Sequence, residues 1–500
     1  MKCSINRNAS VLLLTLVILL VISPVSGYAN PLKGTQGPVK YQPADSSATT
    51  KVYLPVVLNK SALVKIFGAE TKLAYDTIVA DRAINAGISW IRSPAFSWKD
   101  IEPVDTRHSL GHPTYDWTKV NEVNLNNLAA RGIMIMGTIK YTPTWAQKVP
   151  PYSCGPIAQV SLDEFAQFVT ALIQRYGSQV KYWEIGNEPD VDPSGVDNPN
   201  KEFGCWGDQT DLQYYGGGYY AKMLEIVYPA IKAADPLAQL VTGGLLLDCD
   251  PTNPPPGKTC LPANFFEGIL DNNGKKNGAN FFDIVGFHAG AAYDGTLLQD
   301  ENNIAWKNRG GVVLGKIDFL RSVMAKYGVN KPIFLNEGAF SCPGYYPAYC
   351  GNDQANPPVP PVPSFFEAQA DYVVWYFVRN WAAGLIGTIW YRLDGESWRY
   401  SSLLDSNQSP KPAYYSLQFL STELKDARFI QKITLYPNLR VYEFQTVGRR
   451  IWVMWSPDQQ ARTTSLPAGT SKVLDKYGAI ITPVNNQITV NSPVYIEIVP

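Results

Sequence analysis

The chain has 500 residues, with 43 Lys and Arg against 43 Asp and Glu, and a formal net charge of zero. Only 17% of its residues are charged and no basic run interrupts them, which argues against a nucleic-acid partner, whose phosphates need clustered cations. The length allows one large domain with a smaller one beside it. Three histidines leave little room for a histidine-built metal site, while 13 Trp and 29 Tyr suit a neutral ligand that stacks on rings.

Lys2 and Arg7 precede an apolar run from Val11 to Ile22, closed by Ser23-Pro24 and followed by the small residues Ser26, Gly27 and Ala29. This is the order of a secretory signal peptide, expected over residues 1–29. The run is shorter than the roughly 20 residues of a bilayer span. No other stretch is long and apolar enough to cross a membrane, so an exported protein with no stable membrane insertion is expected. Residues 30–60 read as a linker rich in Pro, Gly, Ser and Thr, with one possible strand at 52–58. Asn59-Lys60-Ser61 fits a glycosylation sequon.

Cys3 falls in the signal, leaving Cys154, Cys205, Cys249, Cys260, Cys342 and Cys350. An even number in an oxidising compartment reads as disulfides. Six cysteines allow about 15 connectivities, among which the sequence does not choose. The expected set is Cys249–Cys260, Cys342–Cys350 and, by elimination, Cys154–Cys205. No C-x2-C spacing supports a zinc site.

From residue 61 short apolar runs alternate with helical periodicity. Strands are expected at 64–69, 88–93, 132–138, 180–186, 238–243, 282–288, 332–337 and 385–391. Helices are expected at 72–86, 117–131, 161–176, 219–235, 309–327 and 364–383, two of them opened by the capping boxes Ser161-x-x-Glu164 and Ser364-x-x-Glu367. Eight near-continuous apolar strands alternating with helices imply a parallel sheet covered by helices, and eight is the number that closes a (β/α)8 TIM barrel, here over residues 61–425. A doubly wound open sheet is the alternative, but no G-x-G-x-x-G loop is present. From 426 to 500 the runs become short and β-like, which predicts a small C-terminal all-β, sandwich-like domain.

In such a barrel the active site lies at the C-terminal ends of the strands. Those ends carry Arg92 on the second strand, Asn187-Glu188-Pro189 after the fourth, His288 on the sixth, Glu337 on the seventh and Trp390 on the eighth. Two carboxylates facing across one pocket are what glycoside hydrolysis requires: one protonated to donate to the leaving oxygen, one ionised to attack the anomeric carbon. Glu184 lies on the same face as Glu188 by period-2 alternation but deeper in the barrel. Trp390, Trp145 and Tyr293 are candidate platforms for the C–H faces of a sugar. The motifs of serine hydrolases, zincins and P-loop enzymes (G-x-S-x-G, H-E-x-x-H and G-x4-G-K-[ST]) are all missing.

Trp183-Glu184-Ile185-Gly186-Asn187-Glu188-Pro189 resembles the strand-4 motif of glycoside hydrolase clan A, the retaining (β/α)8 glycosidases, and Phe334-Leu335-Asn336-Glu337-Gly338 resembles its strand-7 segment. Ile101-Glu102-Pro103, Tyr141-Thr142-Pro143-x-Trp145-Ala146, Phe287-His288 and Pro410-Lys411-Pro412-Ala413-Tyr414 add to the likeness, which is closest to the cellulase-like and the β-xylosidase/α-L-iduronidase-like families. The resemblance implies a secreted retaining hydrolase of a β-linked oligo- or polysaccharide that needs no metal or cofactor. Glu188 would be the acid/base and Glu337 the nucleophile. Asn187 would bind the sugar 2-hydroxyl, and Arg92 would sit against Glu337 and hold it ionised. The rival is a non-catalytic carbohydrate-binding or cell-surface protein on a degenerate barrel. The sugar, the linkage, exo or endo action and the oligomeric state are not written in the sequence.

Overall fold

The computed structural model describes residues 65–72, 77–198, 203–352, 359–395 and 397–499. The expected signal peptide, the expected linker with its possible strand at 52–58, and the sequon at Asn59 lie outside the described residues. Eight strands form one parallel sheet: β1 (Phe67–Glu70), β2 (Trp90–Ser97), β3 (Met134–Lys140), β4 (Val180–Asn187), β5 (Gln239–Gly244), β6 (Val285–His288), β7 (Ile333–Gly338) and β8 (Thr388–Trp390). They are hydrogen-bonded in the order β5-β4-β3-β2-β1-β8-β7-β6. The parallel bridges Val241↔Ile284 and Leu245↔Phe287 bring β5 to β6 and close the barrel. The architecture is the (β/α)8 barrel that the strand–helix alternation predicts.

The surrounding helices are α1 (Thr77–Asn85), α2 (Glu122–Ala130), α3 (Leu162–Tyr176), α4 (Gly217–Ala234), α5 (Phe265–Asp271), α6 (Val312–Lys326), α7 (Pro363–Ala382) and α8 (Pro412–Glu423). Helix α5 has no counterpart among the expected helices: six of its seven residues are buried, so no polar stripe marks its period. Neither expected capping box forms. Ser161 ends a 3-10 turn and makes no side-chain cap bond to α3. Pro363, with its fixed φ, starts α7 one residue before Ser364 and places that serine inside the first turn.

The barrel interior is layered. Trp90, Met136, Val241, Ile284, Phe334 and Ile389 form an apolar plug. Two residues further along β2, β3, β4 and β7, Arg92, Thr138, Glu184 and Asn336 stand above it, and all four are buried. Period-2 alternation thus turns the interior from apolar to polar within one step.

The C-terminal strands are β9 (Arg428–Ile433), β10 (Arg440–Thr446), β11 (Arg449–Trp455), β12 (Arg462–Ser465), β13 (Thr470–Asp475), β14 (Gln487–Val490) and β15 (Val494–Ile498). Five form an antiparallel sheet, β9-β10-β11-β15-β13, and β12 pairs with β14. Val441, Trp452, Met454 and Ile496 face Ile488 and Val490 of the small pair in a separate core. The alternate residues face the barrel helices: Trp455 stacks on Trp375 of α7 at 5.6 Å, Phe444 meets Trp381 at 5.0 Å, and Tyr495 meets Phe419 of α8 at 5.0 Å. A buried tie adds to this contact, in which Asp371 of α7 accepts from Lys476 Nζ at 2.7 Å and Gln459 Nε2 at 3.0 Å.

The structure pairs Cys154 with Cys205, Cys249 with Cys260, and Cys342 with Cys350. Among the described residues no helix is long and apolar enough to cross a membrane.

Candidate active site

Arg92, on the interior face of β2, is the centre of the polar layer. Its guanidinium uses all five donors. Nε and Nη2 grip Glu184 at 2.7 and 3.0 Å, Nη1 reaches Glu70 at 2.5 Å and Glu337 at 2.7 Å, and Nη2 also donates to Asn187 Oδ1. Such a bidentate, fully used fork fixes the planes of its partners. Glu184 receives three more bonds, from Thr138 Oγ1 at 2.8 Å, Asn336 Nδ2 at 2.7 Å and the Gly244 N–H at 3.1 Å. With its lone pairs filled and no solvent exposure, it serves as a fixed counter-charge below the site.

Glu188 and Glu337 rise above this layer. Both come from places where strand alternation breaks. Gly186 and Glu188 have φ of 78° and 55° at the end of β4, which lets Asn187 and Glu188 both reach the site. In β7 the register with β6 and β8 shifts around Asn336–Gly338. Bulges of this kind re-aim side chains, and here Asn336 and Glu337 both face inward. One carboxylate oxygen from each of Glu188 and Glu337 and one nitrogen of His288 lie within 4.8 Å of one another.

His288 Nδ1 is 2.9 Å from Glu188 Oε1 and 3.9 Å from Glu337 Oε2. Burial pushes the imidazole down to about 4, so it is neutral at neutral pH. Its Nε2 is buried without a partner against Gly244, where an added Cβ would lie 1.9 Å from that nitrogen. A buried N–H without an acceptor costs the desolvation of a donor. The proton therefore belongs on Nδ1, which donates to Glu188 Oε1, and an acidic proton on Glu188 is left to Oε2.

The sequence expects Arg92 to hold Glu337 ionised beside a protonated Glu188. Burial pushes both carboxyls up to about 7, because one guanidinium is shared among Glu70, Glu184 and Glu337 and cannot offset the desolvation of each. The two titrate as a pair that holds about one proton near neutrality. The direct contact of Arg92 with Glu337 assigns the charge to Glu337 and the proton to Glu188.

The carboxyls open into a cavity of about 310 Å³ whose wall includes Lys316, Tyr345, Tyr391, Trp398 and Arg399. The sequence missed several of these groups. Lys316 of α6 is buried, its Nζ donating to the carbonyls of Leu246 at 2.5 Å and His288 at 3.0 Å, and burial lowers it to about 8. Leu246 is itself held by Asp190, a carboxyl raised by burial that accepts from the N–H groups of Leu246 and Leu247. No sequence signal separates Lys316 from a solvent-facing helix lysine. Glu70 is the last residue of β1, one beyond the expected strand end.

The three predicted platforms are not in the cavity wall. Trp390 is fully buried, donates Nε1–H to Ser401 O at 2.9 Å and packs on Tyr376; its neighbour Tyr391 lines the cavity instead. Tyr293 is buried among Phe340, Tyr349 and Phe365. Trp145 lies edge-on to Trp98 under Arg107, its Nε1–H on Glu102 O at 3.2 Å. Glu188, His288 and Glu337 are also spaced to hold a cation, but the Arg92 guanidinium already occupies Glu337. Asp248 lies beside Cys249 and Cys260, whose sulfurs are spent on their disulfide.

No family model matches the sequence and no curated relative matches it. Solved structures do match in fold. A family 39 glycoside hydrolase from Bacteroides cellulosilyticus superposes with a TM-score of 0.60 at 17% identity, over 87% of this chain and 80% of that one. A family 30 endoxylanase from Clostridium papyrosolvens gives 0.52 at 12% over 87% and 97%, and a family 51 α-L-arabinofuranosidase from Bifidobacterium longum 0.51 at 14% over 87% and 96%. The fold is that of clan A glycoside hydrolases. At these identities the likeness is one of architecture, and the chemistry has to be argued from the site.

Proposed function

We propose that the protein is a secreted, retaining glycoside hydrolase that cleaves β-linked O-glycosidic bonds of an oligo- or polysaccharide. The observation that carries the reading is the pair Glu188–Glu337: two partly buried carboxyls in reach of each other, one on the Arg92 guanidinium and the other on a neutral His288. Oxygens within 4.8 Å favour the close spacing of retaining enzymes, about 5–5.5 Å between carboxyls, over the 6.5–9.5 Å that inversion needs to admit water.

In the first step Glu337 attacks the anomeric carbon while Glu188 gives its proton to the departing oxygen. The glycosidic bond breaks and a glycosyl ester forms on Glu337. In the second step Glu188, now ionised, takes a proton from water, the hydroxide attacks the same carbon, and Glu337 leaves with its electron pair. Arg92 holds Glu337 in line and offsets its charge when it leaves. Asn187, oriented by Arg92, is placed for the sugar 2-hydroxyl. The raised pKa of Glu188 matches it to donate and accept near neutral pH. The fold neighbours include hydrolases named for xylan and arabinofuranoside substrates, so aryl β-xylosides, aryl α-L-arabinofuranosides, aryl β-glucosides and the related polysaccharides form the test panel. Glu188→Gln and Glu337→Gln are assayed beside the parent. Both variants are expected to lose hydrolysis at least about 10³-fold, and proton NMR of the first-formed anomer is expected to show retention. A parent that hydrolyses nothing yet binds sugar as well as both variants do would favour the binding-protein alternative, and an inverted product would refute double displacement.

A further inference from the structure

The wall of the cavity away from Arg92 has a feature that the two-carboxylate chemistry does not use. After β8 the chain runs through a tight segment in which Arg399 and Tyr400 have φ of 53° and 60°. Left-handed backbone at two consecutive bulky residues is strained and persists only where the surroundings impose it. They do so here. Trp390 Nε1–H donates to Ser401 O at 2.9 Å, Gln369 Nε2 to Tyr400 O at 3.2 Å, and the Cys342 N–H to Arg399 O at 2.8 Å.

This anchored segment presents a large apolar ring to solvent. Trp398 is 57% exposed and Tyr345, on the loop closed by Cys342–Cys350, is 62% exposed. The Arg399 guanidinium lies between them, 4.0 Å from the Trp398 ring centroid and 5.3 Å from that of Tyr345. All three line the cavity that holds Glu188 and Glu337. The Trp398 indole is therefore pre-oriented by a stacked cation and a constrained backbone while more than half of it still meets water. A ring held rigidly at a cavity mouth adds contact area to a bound molecule at little entropic cost. Arg399 lies over one face of the ring, and the exposed remainder is an apolar surface that matches the C–H face of a pyranose.

We infer that Trp398, stacked on Arg399, is a sugar-binding platform for the unit next to the one attacked, so that the natural substrate is an oligo- or polysaccharide rather than a simple glycoside. The inference rests on the glycosidase reading and names a second subsite of that same cavity.

The test compares Trp398→Ala and Trp398→Tyr with the parent on the glycosyl fluoride of the best-hydrolysed sugar of the panel, which has no second ring, and on the β-1,4-linked tetrasaccharide of the same sugar. Trp398→Ala is expected to lower kcat/KM for the tetrasaccharide between about threefold and tenfold, through KM, and to leave the glycosyl fluoride unchanged, with Trp398→Tyr restoring most of the loss. Tetrasaccharide binding to Glu337→Gln, with and without Trp398→Ala, is read by calorimetry and by the shift of tryptophan fluorescence. A weakening of the same size is expected there, which keeps the test independent of turnover. Equal effects on both substrates, or none on tetrasaccharide kinetics and binding, would overturn the platform and leave the two-glutamate reading standing. Hydrolysis that survives Glu337→Gln would overturn that reading, and the binding arm would still decide the platform.

Discussion

Arg92→Met tests the electrostatic centre of the site. The change removes the shared guanidinium and leaves three carboxylates that it now contacts at 2.5–2.7 Å. Glu337 is 23% exposed and can recruit water, but Glu70 and Glu184 are 4% and 0% exposed and cannot. Breaking a buried pair from one side costs about 3–5 kcal/mol. Unfolding entropy of about 2.1 cal/mol/K per residue, over the roughly 440 residues from Lys60 to Pro500, gives about 0.9 kcal/mol/K, so the melting temperature should fall by about 3–5 °C. The pH dependence has a definite sign. Glu188 and Glu337 titrate at about 7 in the fold against about 4.5 ordinarily, so their contribution to stability is complete below the lower value and is lost as pH rises to the higher one. Arg92 lowers both values, and without it they rise further. The deficit of the variant is therefore greatest at pH 8 and shrinks toward pH 5.5. Calorimetry at the two pH values measures it. Melting within about 1 °C of the parent at pH 8, or a deficit that grows in acid, would refute the account.

Lys316→Met should move the basic limb of the kcat/KM profile to higher pH, because the Lys316 charge lowers the Glu188 carboxyl and without it the acid keeps its proton longer; a downward or null shift counts against Glu188 as the acid. Asp371→Asn leaves Lys476 at the foot of the β-domain with Glu367 as its remaining carboxylate, at 2.9 Å, and a loss of about 1–3 kcal/mol with a broadened or split calorimetric transition is expected. By loop-closure entropy, Cys154–Cys205, 51 residues apart, should contribute about 4 kcal/mol and Cys342–Cys350, 8 apart, about 2.5 kcal/mol. Double Cys→Ser variants melted side by side check the order, and an equal or reversed loss would contradict it.

What the sequence discloses and what it conceals follow from one property of parallel barrels. Strand ends are visible as the points where apolar runs stop, so Asn187, Glu188, His288 and Glu337 could all be placed at the mouth in advance, whereas β2 runs on to Ser97 and leaves Arg92 a layer below. Which face a residue takes is hidden wherever both faces of a strand are apolar. In Thr388-Ile389-Trp390-Tyr391 nothing marks parity. The structure puts Ile389 in the plug and turns Trp390 outward onto α7, so the tryptophan chosen as a platform is core and the tyrosine after it meets the cavity. Lys316 and the rim residues Trp398 and Tyr345 sit on a helix and on loops, where no strand period exists to point at them.

The proposed catalytic pair lies where parity itself fails. Trp90 and Arg92, Tyr182 and Glu184, Phe334 and Asn336 keep the two-residue step, which continued alone would bring Glu188 inward without Asn187 and would turn Glu337 outward. Positive φ at Gly186 and Glu188 and the register shift in β7 instead bring Asn187 with Glu188, and Asn336 with Glu337, to one mouth. These departures cost backbone energy and ladder hydrogen bonds that an ordinary barrel strand would keep. The polar layer on Arg92 is what holds them, since Asn187, Glu184 and Glu337 are bonded to one guanidinium and Asn336 to Glu184. Departures from a local rule that converge on one charge, above a plug that obeys the rule, are expected of a functional site, and this is the physical ground for reading Glu188 and Glu337 as a reacting pair.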